Sequence, residues 1–93
     1  MTVGALKVDL HIPGASSLKA KRQVVKSLKD RMRNRFNVSV AEVGQQDKWQ
    51  RATLLIAMAG TDGKYVAGAL DEVTKFLRGQ PAVAVCHHEV EVL

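Results

Sequence analysis

Three histidines, one cysteine and nine carboxylates are what this 93-residue chain offers for catalysis or metal binding. Asp9 and His11 lie two positions apart, so on an alternating strand they share a face, and His87 on a neighbouring strand would complete an Asp–His grouping suited to proton transfer. An open sheet face lacks the enclosure that excludes water, so no catalysis is expected there. Cys86 and His88 could join His11 as ligands. His11, however, is out of phase with the apolar residues of its own strand, and no CxxC or HxxxH spacing completes a set. Neither metal nor cofactor is expected. A second polar group surrounds Pro13–Ser17. Here free backbone N–H groups at a helix start, with Ser16, Ser17, Lys21 and Arg22, are expected to bind phosphate or sulfate without turning over any substrate.

The strongest signal is electrostatic. Between Leu18 and Arg35, eight basic residues stand against Asp30 alone, a balance of +7 in a chain whose whole formal charge is +5. Lys19, Arg22, Lys26, Lys29 and Arg33 recur every three or four positions, which places them on one stripe of a helix. Arg22/Lys26 and Lys29/Arg33 are like-charge pairs at i,i+4, each costing a few tenths of a kcal/mol. Lys19, Lys21 and Arg22 also crowd the first turn, where the helix dipole favours acids. An external polyanion would relieve both repulsions. The bland alternative is a solvated face neutralised by Glu42, Asp47 or the acidic last strand. Lys48, Trp49 and Arg51, in and just after a polar loop, add two cations and the only tryptophan to the candidate surface. Trp49 suits base stacking and equally suits an apolar cover over the second strand.

These residues need a scaffold, and hydrophobic periodicity supplies one. From Val3 to Ile12 the chain alternates, with Leu6, Val8, Leu10 and Ile12 inward. Pro13-Gly14 stops that strand, and Ser16 or Ser17 caps a helix in which Leu18, Val25, Leu28 and Met32 form the core stripe, ending near Asn34 or Arg35. A second strand is expected over Phe36–Val43 with a bulge near Ala41-Glu42-Val43, and a third over Arg51–Ala59 with Ala52, Leu54, Ile56 and Met58 inward. Thr61 or Asp62 caps a second helix carrying Val66, Ala69, Leu70, Val73, Phe76 and Leu77, which Gly79 and Pro81 end. The last strand runs from Ala82 to Val92, with Val83 and Val85 in the phase of His87. The order βαββαβ predicts an α+β, ferredoxin-like sandwich as one domain over 1–93: a four-stranded antiparallel sheet, both helices on one face, the first and third strands central.

With that order in place, the motifs His11-Ile-Pro-Gly, Ser17-Leu-Lys-Ala-Lys-Arg, Arg33-Asn-Arg-Phe-Asn-Val-Ser-Val-Ala-Glu-Val43 and Asp47-Lys-Trp-Gln-Arg-Ala52 resemble the YlxP-like family of small bacterial proteins. The likeness runs from the first strand to the end of the chain. It implies a ferredoxin-like fold and a setting among translation and ribosome-assembly factors, and it assigns no activity. Cys86-His87-His88 departs from relatives, which tend to carry an acidic residue and a tyrosine there.

Sheet-face RNA binding of the RRM type is excluded by the absence of aromatics on the middle strands. So is an acylphosphatase-like site, whose Gly-rich cradle and arginine are missing from Ile12–Leu18. The expected function is therefore non-enzymatic binding of structured RNA of ribosomal type through Lys19, Lys21, Arg22, Lys26, Lys29, Arg33, Lys48, Trp49 and Arg51. A homodimer through an apolar patch of Leu55, Ala57, Ala59, Val83 and Val85 on the open sheet face is the alternative. No apolar run reaches the roughly 20 residues of a membrane span. One cysteine precludes an internal disulfide, and Met-Thr-Val-Gly-Ala-Leu-Lys lacks the order of a secretory leader, so a cytoplasmic protein is expected.

Overall fold

The computed structural model describes residues 1–93 as β1 (Thr2–His11), α1 (Leu18–Arg35), β2 (Ser39–Gly44), β3 (Arg51–Gly60), α2 (Gly63–Arg78) and β4 (Ala84–Val92). The strands form one sheet in the order β2-β3-β1-β4, every neighbour antiparallel. Both helices cover one face, as the ferredoxin-like reading requires. No helix is long and apolar enough to cross a membrane.

The alternation in β1 and β3 is realised residue for residue. Leu6, Val8, Leu10 and Ile12 pack with Ala52, Leu54, Ile56 and Met58 beneath the helices, all buried. Their partners from above are Val25, Leu28 and Met32 of α1 and Val66, Leu70, Val73 and Leu77 of α2. Each fully buried aliphatic side chain stabilises the fold by about 1.5–3 kcal/mol. Ser17 caps α1 by accepting from Ala20 N at 3.0 Å, and Asp62 caps α2 by accepting from Tyr65 N at 2.9 Å. Each cap satisfies a backbone donor that the helix itself cannot.

The space beside the start of β1 is narrow. A Cβ on Gly4 would stand 2.4 Å from Val66 Cγ1 and 3.0 Å from Leu70 Cδ1, so only hydrogen fits between β1 and α2. Gly4→Ala is expected to destabilise by about 1–3 kcal/mol through overpacking. Urea unfolding measures this, and a variant as stable as the parent would show that α2 shifts freely.

Two segments depart from the sequence expectation. Phe36 belongs to the helix terminus rather than to β2: its N–H caps Met32 O, and its ring meets Phe76 edge-on with centroids 5.9 Å apart. The β2 bulge falls where expected, between Glu42 and Gly44. A second bulge, in β4, was not expected. Asp9 faces His87 while Leu10 faces Val85, leaving Cys86 as the extra residue. The insertion reverses the phase of the strand before it. Val83 is thereby buried and Val85 packs against the core, so neither lies on the open face where a dimer patch was expected. Leu55, Ala57 and Ala59 remain there, and Ala5 joins Ala57 across the β1–β3 pairing.

Candidate nucleic-acid interface

The capped start of α1, the stapled β2–β3 loop and the β2 edge bring part of the expected surface together. Gln50 Nε2 donates to Pro13 O and Ala15 O, both at 3.2 Å, and Ile12 N donates to Gln50 O at 2.9 Å. These bonds fix the loop carrying Lys48 and Trp49 beside the turn that leads into Lys19 and Arg22. Lys48 is exposed, and Trp49 is 54% exposed, more open than an apolar cover would be.

Along α1, Arg22, Lys26, Lys29 and Arg33 line a shallow groove of about 390 Å³ against Val25, Asp30 and Glu42. Asp30 sits inside the stripe. Its carboxylate takes Lys26 Nζ at 2.9 Å and lies 3.9 Å from Arg33 Nη1. The hydrogen bond from Lys26, then its charge, with smaller help from Arg33 and Lys29, hold the Asp30 carboxyl below its ordinary range. Arg33 also donates through Nη2 to Val40 O at 2.8 Å, anchoring α1 to β2. Lys19, Arg22 and Lys29 make no ion pair, so they are the stripe's unengaged cations.

Two of the expected contact residues are elsewhere. Lys21 is 1% exposed: its ammonium lies 2.7 Å from Glu42 Oε2 and donates to Gln45 O at 2.7 Å. Its helical position points the side chain toward the sheet, and Glu42, the inward residue after Val40, meets it there. Glu42 Oε2 has no other donor, which makes Lys21 its sole compensation. Lys21 is therefore removed from both the nucleic-acid surface and the anion site. At that site Ser17 is occupied as the cap, and Ser16 and Arg22 are exposed. Arg51 is the second displaced residue. It projects on the open sheet face, opposite His11 in register, and its Nη1 reaches Cys86 Sγ at 3.2 Å, across the sheet from the helices.

Sequence reasoning missed Gln45. Its backbone has φ +60°, uncommon for a side-chain-bearing residue, and its carbonyl takes Lys21 while its Nε2 donates to Thr53 Oγ1 at 3.1 Å. Thr53 in turn donates to Asp9 Oδ1 at 2.7 Å. Nothing in the chain's periodicity signals Gln45; the Val38-Val40-Glu42 phase shows only that an acid faces the helix layer.

On the open face the Asp–His grouping does not assemble. His87 is opposite Asp9 in register, yet its Nε2 pairs with Glu89 Oε1 at 2.9 Å, and that bond with the accompanying charge holds the Glu89 carboxyl below its ordinary range. His11 faces Arg51 and Ala84. Among the His, Cys, Asp and Glu side chains, no three converge in a metal-binding group.

Fold and flank together define a ferredoxin-like α+β protein with one cationic helix edge. A family profile described as "Protein of unknown function (DUF503)" matches residues 3–90, and the chain belongs to that family. It is 36% identical over 81 residues to a protein of Bacillus subtilis (strain 168) named "Uncharacterized protein YlxP", covering 87% of this chain and 88% of that one.

Proposed function

We propose that this protein binds structured RNA without catalysis, docking the outer edge of α1 along the phosphates of a duplex. The observation that carries this reading is the groove of Arg22, Lys26, Lys29 and Arg33. Once Lys21 neutralises Glu42, its lining bears a net +3, while Lys19, Arg22 and Lys29 have no carboxylate of their own. Lysine meets phosphate as a mobile point charge and arginine as a planar fork. The major groove of an RNA duplex is too deep and narrow for side chains to read base edges there, so the duplex is recognised by shape and backbone. Lys48 and Trp49 extend the surface beyond the start of α1. Ribosomal RNA is the first ligand to try, given the translation setting implied by the family resemblance, and the cytoplasm is the corresponding compartment.

The test is a fluorescence titration of a labelled RNA duplex with the parent protein and with Lys19→Gln/Arg22→Gln/Lys29→Gln. Lys19 and Arg22 are exposed and Lys29 is half-buried with no ion pair to lose, so folding is expected to survive. Binding that weakens strongly with salt in the parent and is largely lost in the variant supports the proposal. Equal affinity overturns it.

A further inference from the structure

At the far end of α1 from the loop, a cavity of about 160 Å³ opens between the α1–β2 connection and the first turns of α2. Phe36, Val38 and Met58 supply apolar walls, and Tyr65, Asn37 and Arg35 bring the groups that distinguish it from a simple packing gap. Tyr65 is 62% exposed. Its ring is seated on Gly60, where an added Cβ would lie 3.4 Å from Tyr65 Cδ2 and 2.6 Å from Val66 Cγ2. The ring therefore borders Gly60 while most of it stays open to solvent. Arg35 stands 5.8 Å from the Phe36 centroid and 5.6 Å from that of Phe76, and it forms no ion pair. Two rings orient a cation whose charge no protein group neutralises.

An exposed planar ring, an apolar floor, an amide and an unneutralised guanidinium together match one nucleotide with its base unstacked. The base would lie on Tyr65, its edge would meet the Asn37 amide, and Arg35 would take the adjoining phosphate. An apolar peptide side chain would use the floor alone and leave Asn37 and Arg35 idle. We infer that this cavity receives a single unpaired base of the RNA whose duplex part lies along α1. The inference rests on the RNA-binding reading and narrows it: the preferred ligand is a junction, where a duplex gives way to an unpaired nucleotide. Arg33 and Arg35 lie on opposite sides of the last turn of α1, so a strand leaving the stripe reaches the cavity by crossing that helix end.

The experiment compares two RNAs with the same duplex, one blunt and one with a short unpaired overhang, titrated against the full chain, Tyr65→Ala and Arg35→Gln. The parent is expected to prefer the overhang by roughly 5- to 150-fold, the range for loss of one base–aromatic stack. Tyr65→Ala is expected to lose the preference and keep the blunt affinity, and Arg35→Gln to lose part of it. A 5-iodouridine in the overhang is expected to photo-crosslink to Tyr65. Equal binding of the two RNAs by the parent, or a preference that survives in Tyr65→Ala, overturns the cavity assignment and leaves duplex binding standing. Failure to bind either RNA overturns both. Amide shifts at Asn37 and Tyr65 caused by N-acetylphenylalanine amide but not by uridine or adenosine monophosphate would assign the cavity to a peptide and overturn the inference as well.

Discussion

Glu42→Ala is expected to cost about 3–5 kcal/mol of folding stability, the penalty for stranding a buried charge. Lys21 is almost wholly buried, and with Glu42 gone its ammonium keeps only the carbonyl of Gln45 at 2.7 Å. A domain of this size has a total stability of roughly 5–14 kcal/mol, so the loss is a large fraction of the whole. The midpoint of thermal unfolding is expected to fall by at least ~12 °C. Lys21→Met is expected to cost less, about 1–3 kcal/mol, because the side-chain stem is kept and Glu42, 17% exposed, can turn toward water. Lys21→Met/Glu42→Leu removes both charges and is expected to return to within about 1 kcal/mol of the parent. The measurement is a set of denaturation curves forming a double-mutant cycle. A Glu42→Ala protein that melts with the parent would show that the pair stabilises nothing.

That ion pair also marks where the sequence stops being readable. Period-two alternation in β1 and β3 and the apolar stripe of α2 are dense, uninterrupted patterns, so they specify the core and, with crossover handedness, the strand order. Lys21 interrupts the core stripe of α1, and its angular position already shows that it faces inward. Its partner is not local, and periodicity along one segment carries no information about which residue of another segment arrives opposite. The β4 bulge is hidden for a different reason. Val83, Val85, Val90 and Val92 are all apolar, so a strand with or without an extra residue at Cys86 looks much the same in the sequence. Only the pairing of Leu10 with Val85 and Asp9 with His87 reveals the insertion. The basic stripe was legible as a stripe. How Asp30, Val40 O and Glu42 divide its cations into engaged and free was not, because that division depends on side-chain reach across α1 and onto β2.

The division predicts effects of opposite sign on RNA binding. Each phosphate contact contributes a slope of about 0.9 to the fall of log K with log salt, or about 3.5-fold in affinity over a fourfold salt change. Replacing Lys19, Arg22 and Lys29 by glutamine removes up to three contacts. The salt slope is then expected to drop by up to about 2.7, shrinking the affinity loss between 50 and 200 mM salt by up to about 40-fold. Asp30→Asn acts the other way. It removes the carboxylate that now holds Lys26 at 2.9 Å and borders Arg33 at 3.9 Å, leaving both cations for the phosphates. The slope is expected to steepen by about 1 for each of the two that gains a phosphate, so that RNA binding tightens, and for one such contact by about 3.5-fold more at 50 mM than at 200 mM salt. Exposed pairs of this kind contribute little to stability, so folding persists. Lys64→Gln/Lys75→Gln/Arg78→Gln lowers the net charge by the same three units on α2, where Lys75 is already paired with Asp71 and Glu72. That control is expected to bind nearly as the parent does. If it loses as much affinity as the α1 variant, attraction comes from overall charge; if Asp30→Asn binds more weakly than the parent, Lys26 and Arg33 do not meet phosphate; either result means that the outer edge of α1 is not the docking surface.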